Sequence, residues 1–254
     1  MIQIYRIPVP AQRLLAMPEK ERVLMLLLGY TSNQLSIIQK LLVFSTNRTP
    51  EIEIEQQATG VQTHILLRLT VGALNEAWEL VRTRFISTKL APEYIHRLDS
   101  GGLAAFDALK QQFGKSSLLN AVRKNYAFHY PQSDDVAKAF AAICSDKELI
   151  GVMNFYLSIH GFNALFYVSD LVFVQGIADI AKETDLAEAQ RKLMDEVSSA
   201  SINLINISRS FTAAAWLQYV GTELLADQVV EITDAPHVDD VWIPFFVEID
   251  ERVT

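Results

Sequence analysis

Along most of the chain, apolar residues recur every three or four positions, the spacing that lines one face of a helix. The pattern is longest between Thr184 and Gly221. There Leu186, Ala189, Leu193, Val197, Ala200, Leu204, Ile207 and Phe211 step by alternating threes and fours and predict one packed helix over 184–221. Ser198, Ser199, Ala200 and Ser201 in the same stretch are small enough to admit a close neighbour. A second long helix starts at Pro18-Glu-Lys-Glu-Arg, with proline in its first turn and acids at the positive end of its dipole, and runs to Ser45. A third runs from Val61 to Ser87 through Ile65, Leu69, Leu74, Trp78 and Val81, after a polar connection from Asn47 to Gly60.

Shorter helices fill the middle. Pro92 opens one that ends at Ser100-Gly-Gly102, and Leu103 to Phe113 forms another that Gly114 stops. Ser116 or Ser117 caps a helix over 116–130, Asp134 or Asp135 caps one through Ala142, and Asp170 to Lys182 is helical again. The helical period breaks at 151–169. Val152 to Ile159 and Ala164 to Val168 are rich in β-branched and aromatic residues around His160-Gly-Phe-Asn163, which fits a small hairpin and a buried helix alike. The tail from 227 to 254 reads as extended, with Pro236, Pro244 and the apolar run Val241 to Val247. Such a run must lie down on its own bundle or on a second copy. With no internal repeat and no low-complexity linker, the fold class is mostly α. One helical domain spans 1–254, a bundle with a small β-hairpin insertion or a further buried helix at 151–169 and an extended C-terminal tail.

Composition narrows the function classes. The 254 residues carry a net charge of −8, which argues against a general nucleic-acid coat. The single cysteine, Cys144, excludes an internal disulfide and a thiolate metal cage, and its default is a buried free thiol. No signal-peptide pattern opens the sequence and no uncharged apolar run reaches spanning length, so a cytoplasmic protein without a membrane partner is expected. The charge is uneven, however. Ala108 to Ser133 contains no acid, while Lys110, Lys115, Arg123 and Lys124 fall inside. Such a window is a solvated face or a local anion site.

Candidate chemistry reduces to one segment. The five histidines are scattered, and the Glu93-x-x-His96 spacing lacks the second copy a di-iron bundle needs, so neither metal nor cofactor is expected. Gly114-Lys115-Ser116 ends like a phosphate loop, but Leu109 stands where the first glycine belongs. There remain Arg123, a planar fork suited to phosphate, and His129, a proton carrier near neutral pH, with Asn125 between them. Six positions apart, Arg123 and His129 point away from each other on an ideal helix, whereas Asn125 and His129 share a face. The plain account is a helix end: His129 in the last turn before Pro131, Arg123 solvated, Tyr126, Phe128 and Tyr130 packing.

Arg123-x-x-x-x-x-His129, at the end of a helix in an all-helical chain, resembles the Arg-x(4–6)-His signature of the HEPN superfamily. The ending Asn125-Tyr-Ala-Phe-His-Tyr130 is similar to that of uncharacterised and phage-defence bacterial members. The match covers 116–131, and Lys124 stands where members commonly carry Asn or Asp. The resemblance implies a HEPN-like bundle and a metal-independent endoribonuclease, a toxin or phage-defence effector, with an antitoxin or other protein partner. It further implies a homodimer whose motifs meet across the two-fold axis. In that reading His129 moves the proton, Arg123 stabilises the phosphate, Asn125 orients, and Lys124 and Lys115 attract the RNA backbone. Two other readings stand beside it. One is a non-catalytic dimerisation or protein-interaction module with a degenerate motif, and the other is a window that binds a nucleotide or small anion without hydrolysis.

Overall fold

The apolar seam of the longest helix is buried as its spacing requires. In the computed structural model, which describes residues 1–114, 117–159, 161–220 and 228–248, Ala189, Leu193, Val197, Ala200, Leu204, Ile207 and Phe211 are each at most 2% exposed. The chain is mostly α-helical, with ten α-helices and one two-stranded sheet among the described residues. In order these are β1 (Ile2–Arg6), α1 (Ala11–Ala16), α2 (Glu19–Thr46), α3 (Glu53–Val81), α4 (Leu90–Tyr94), α5 (Ser100–Gln112), α6 (Leu118–Val122), α7 (Ser133–Ser145), α8 (Lys147–Ile150), α9 (Tyr167–Ala181), α10 (Leu186–Val220) and β2 (Gln228–Ile232). Two π-helical turns, Arg82–Ile86 and Arg123–Ala127, follow α3 and α6. No helix among the described residues is long and apolar enough to cross a membrane.

The chain divides into two compact units, and α2, α3 and α10 contribute residues to both. The first comprises 1–37, 73–114 and 199–238. Its core is aromatic: Phe85 meets Phe106 and Phe211 edge-on at 5.8 and 5.7 Å, and Tyr94 tilts against Phe211 at 4.9 Å. Gly102 lies against Ser210, so close that a Cβ there would collide with it, and Gln112 bonds Ser199 and Asn203. Ser199 thus meets α5 at Gln112, and Ser210, further along α10, meets it at Gly102. The strands β1 and β2 pair antiparallel, Ile2 with Ile232 through Arg6 with Gln228. A two-stranded ribbon is marginal by itself, and both strands here are largely exposed.

The second unit comprises 38–72, 115–198 and 239–254. Its α7 and α9 pack through Ala139, Ile143, Leu171 and Val172, and Ala178 and Ala181 of α9 meet Ala189 of α10. The apolar tail lies on its own chain here. Asn47 donates to the Val241 carbonyl at 2.8 Å, Arg48 covers the Trp242 ring, and Phe245 and Phe246 pack near Ala58, Val61 and Leu165.

Several sequence expectations shift. The polar connection after α2 is shorter, because α3 begins at Glu53. Ser100-Gly-Gly102 starts a helix instead of ending one: the Asp99 carboxylate accepts from the Gly102 N–H at 2.7 Å and caps α5. The stretch at 151–169 forms one antiparallel bridge, Tyr156 with Leu165, and the sheet is made by 2–6 and 228–232 instead. Cys144 is exposed, one position past the buried Ile143 on an amphipathic α7.

Two measurements follow. Phe211→Ala empties a site shared by Phe85 and Tyr94 and should cost about 3–5 kcal/mol in urea unfolding. The Gly102 N–H, and then Ser210, hold the Asp99 carboxyl below its ordinary range. Its contribution to stability is therefore present above the ordinary carboxylate pKa and lost as pH falls through the lowered value. Asp99→Asn keeps a cap acceptor but removes the titration. The melting temperature of the variant should fall less than the wild type's between about pH 5 and pH 3.

Candidate functional site

The segment with the candidate chemistry is a short helix that widens before it stops. Ser117 caps α6, its hydroxyl accepting from the Asn120 N–H at 3.2 Å. Lys115 and the alternative cap Ser116 lie outside the described residues. After Val122 the backbone opens into the π-helical turn Arg123–Ala127, and Phe128 and His129 form a bend. The helix thus ends three residues earlier than the expected 130, and His129 stands beyond it. Pro131 accounts for the stop, since it disfavours helical geometry at Tyr130.

Arg123, Lys124 and His129 are all exposed. Asn125 is half-buried and its carboxamide donates to the Ala121 carbonyl of its own helix at 3.2 Å. The shared face of Asn125 and His129 on an ideal helix is therefore lost, because only one of them is helical.

What fixes this turn is the residues between the candidates. The Tyr126 carbonyl accepts from Arg68 Nε of α3 at 2.5 Å. The Tyr126 ring meets Phe173 of α9 edge-on at 5.9 Å, and its hydroxyl end fills a notch over Gly176 where a Cβ would collide. The Phe128 ring leans in the same way on Gly72 of α3. In both places only a residue without a side chain allows the approach. Burial raises the Tyr126 phenol above its ordinary pKa, and Asp135 and Asp179 push it the same way.

Those two acids change the charge picture. Asn125, Tyr126, Asp135, Lys138, Gly176 and Asp179 line one polar cleft of about 240 Å³, in which Lys138 lies 3.5 Å from Asp179. Lys110 of the acid-free window pairs with Asp107 at 3.2 Å, just outside that window. The stretch without acids in sequence has acids beside it in space.

A second cluster escaped the sequence. His64, only 2% exposed, faces Asp170 with Nδ1 3.1 and 3.2 Å from the two carboxylate oxygens. Its Nε2 is buried without a hydrogen-bond partner. One turn on, the Arg68 guanidinium lies 4.8 Å from the Phe173 ring centre. Burial lowers its pKa, and the nearby Asp170 opposes that shift. The spacing of His64 and Arg68 on α3 was a visible signal. Asp170, 106 residues from His64, gave none.

Gly176→Ala should drive Tyr126 out of its notch and cost about 1–3 kcal/mol in thermal or urea unfolding. Adding Tyr126→Phe should recover part of that loss, a non-additivity that a double-mutant cycle reads directly. No protein-family model matches the chain, and no curated protein and no solved structure shows significant similarity to it.

Proposed function

We propose that the protein is a HEPN-like, metal-independent endoribonuclease that acts as a homodimer, in the manner of a toxin or phage-defence effector. One observation carries this reading. The turn 123–129 is anchored through Tyr126 and Phe128, while Arg123, Lys124 and His129 stand exposed at its surface. Side chains meant for a substrate need a rigid base and an open face, and this turn has both.

The chemistry needs no external nucleophile, because the RNA 2′-hydroxyl attacks its own phosphodiester. His129 takes the 2′-hydroxyl proton as O2′ bonds to phosphorus. The bond to the 5′-oxygen breaks, and the partner's His129 protonates that leaving oxygen. Arg123 donates to the non-bridging oxygens, whose charge grows in the transition state. Lys124 attracts the strand. A dimer supplies the second histidine that one exposed turn lacks.

A second reading has its own support. The Asn125 carboxamide is held by the Ala121 carbonyl and Asp135 and Asp179 flank it, which disfavours a phosphate there. Leu157, Ile159 and Phe162 are 76–96% exposed. A non-catalytic interaction module needs such an apolar surface.

The test is RNA cleavage with a chelator present. Arg123→Ala and His129→Ala should each slow cleavage by about 100-fold or more with unchanged melting temperature. Undiminished cleavage by both variants, or its loss on chelation, rejects the nuclease reading. A wild type with no cleavage favours the interaction module.

A further inference from the structure

The second unit holds two opposite charges that stand side by side without bonding each other. Arg68 gives Nε to the Tyr126 carbonyl and lays its guanidinium against Phe173. The Asp170 carboxylate accepts from His64 Nδ1, which lies within reach of both its oxygens. No direct ion pair joins Arg68 to Asp170 among the described residues, and no hydrogen bond there occupies the two terminal nitrogens of Arg68. Each charge is held in place by a third group, an arrangement that costs a ligand little ordering.

Both line a groove of about 300 Å³, with Ser169 beside them and Phe166, Phe173 and Phe245 among its walls. That volume is at the small end of ligand sites, which are mostly apolar with a few placed polar groups. The charge pattern selects the ligand. A simple anion on Arg68 meets the Asp170 carboxylate beside it, and a simple cation on Asp170 meets the guanidinium. An RNA phosphodiester finds one arginine and an adjacent acid, a poor electrostatic match. A molecule with both charges a short distance apart satisfies both.

We propose that this groove binds a small zwitterion, an ammonium and a carboxylate on an apolar body, as in a free amino acid with a large apolar side chain. The carboxylate takes the terminal nitrogens of Arg68 in a charge-assisted pair. The ammonium takes the Asp170 carboxylate, and the apolar body lies against the phenylalanines. This site is separate from the exposed candidate nuclease residues and stands or falls without them.

Isothermal titration of the full chain with L-phenylalanine tests it, against 3-phenylpropionate, which lacks the ammonium, and phenethylamine, which lacks the carboxylate. L-phenylalanine should bind at least about tenfold more tightly than either, the difference that one charged hydrogen bond supplies. Asp170→Asn should narrow or reverse the preference over 3-phenylpropionate, a change in selectivity that general damage to the fold does not produce. Phe166→Ala, at a ring 55% exposed, leaves the core intact and should weaken L-phenylalanine severalfold. No binding at about 10 mM ligand, equal binding of all three compounds, or unchanged affinity in Phe166→Ala overturns the proposal.

Discussion

A helix that stops inside a protein leaves its last carbonyls without partners, and the candidate site depends on how that constraint is met at Tyr126. The Arg68 guanidinium supplies the donor, from a helix that begins more than sixty residues before the turn. A charged donor on a backbone carbonyl is a strong hydrogen bond, and here burial on the Phe173 face strengthens it. With that bond made, the backbone widens into the π-helical turn and Tyr126 enters the Gly176 notch. The direction of Arg123 and His129 follows from these contacts more than from the short helix itself, which has too few residues to stand alone.

The electrostatics of the second unit follow from the same packing. Bringing α9 against the turn brings Asp179 with it, and α7 brings Asp135. Linear sequence placed both outside the basic window, so the window looked cleaner than the folded surface is. Arg68 and Asp170 illustrate the converse. Each is unremarkable in its own segment, and only the packing of α3 against α9 gives them a common groove.

Most of the helical frame was legible because period and burial are the same fact seen twice. The α10 seam was readable residue by residue, from Ala189 to Phe211. Boundaries were harder wherever capping competed with glycine. Gly101 and Gly102 suggested a stop, yet the Asp99 carboxylate makes the same residues a start. The strand pair was missed because β1 and β2 are short, solvent-facing and at opposite ends of the chain. At the candidate site the exposed residues were visible and their supports were not. Gly72, Gly176 and Asp170 act through contacts between distant segments, which leave no local pattern.

The pairing of β1 with β2 carries a consequence for the timing of synthesis. β1 leaves the ribosome more than two hundred residues ahead of its partner. At about 5–20 residues per second, the nascent strand Ile2–Arg6 waits roughly 10–45 s with its edge unpaired. An open strand edge is a template for pairing with another chain. The helices between the strands can form during that interval, but this ribbon cannot. The ribbon therefore closes late in synthesis, and until then its first strand is open to capture by a chaperone or a neighbouring nascent chain.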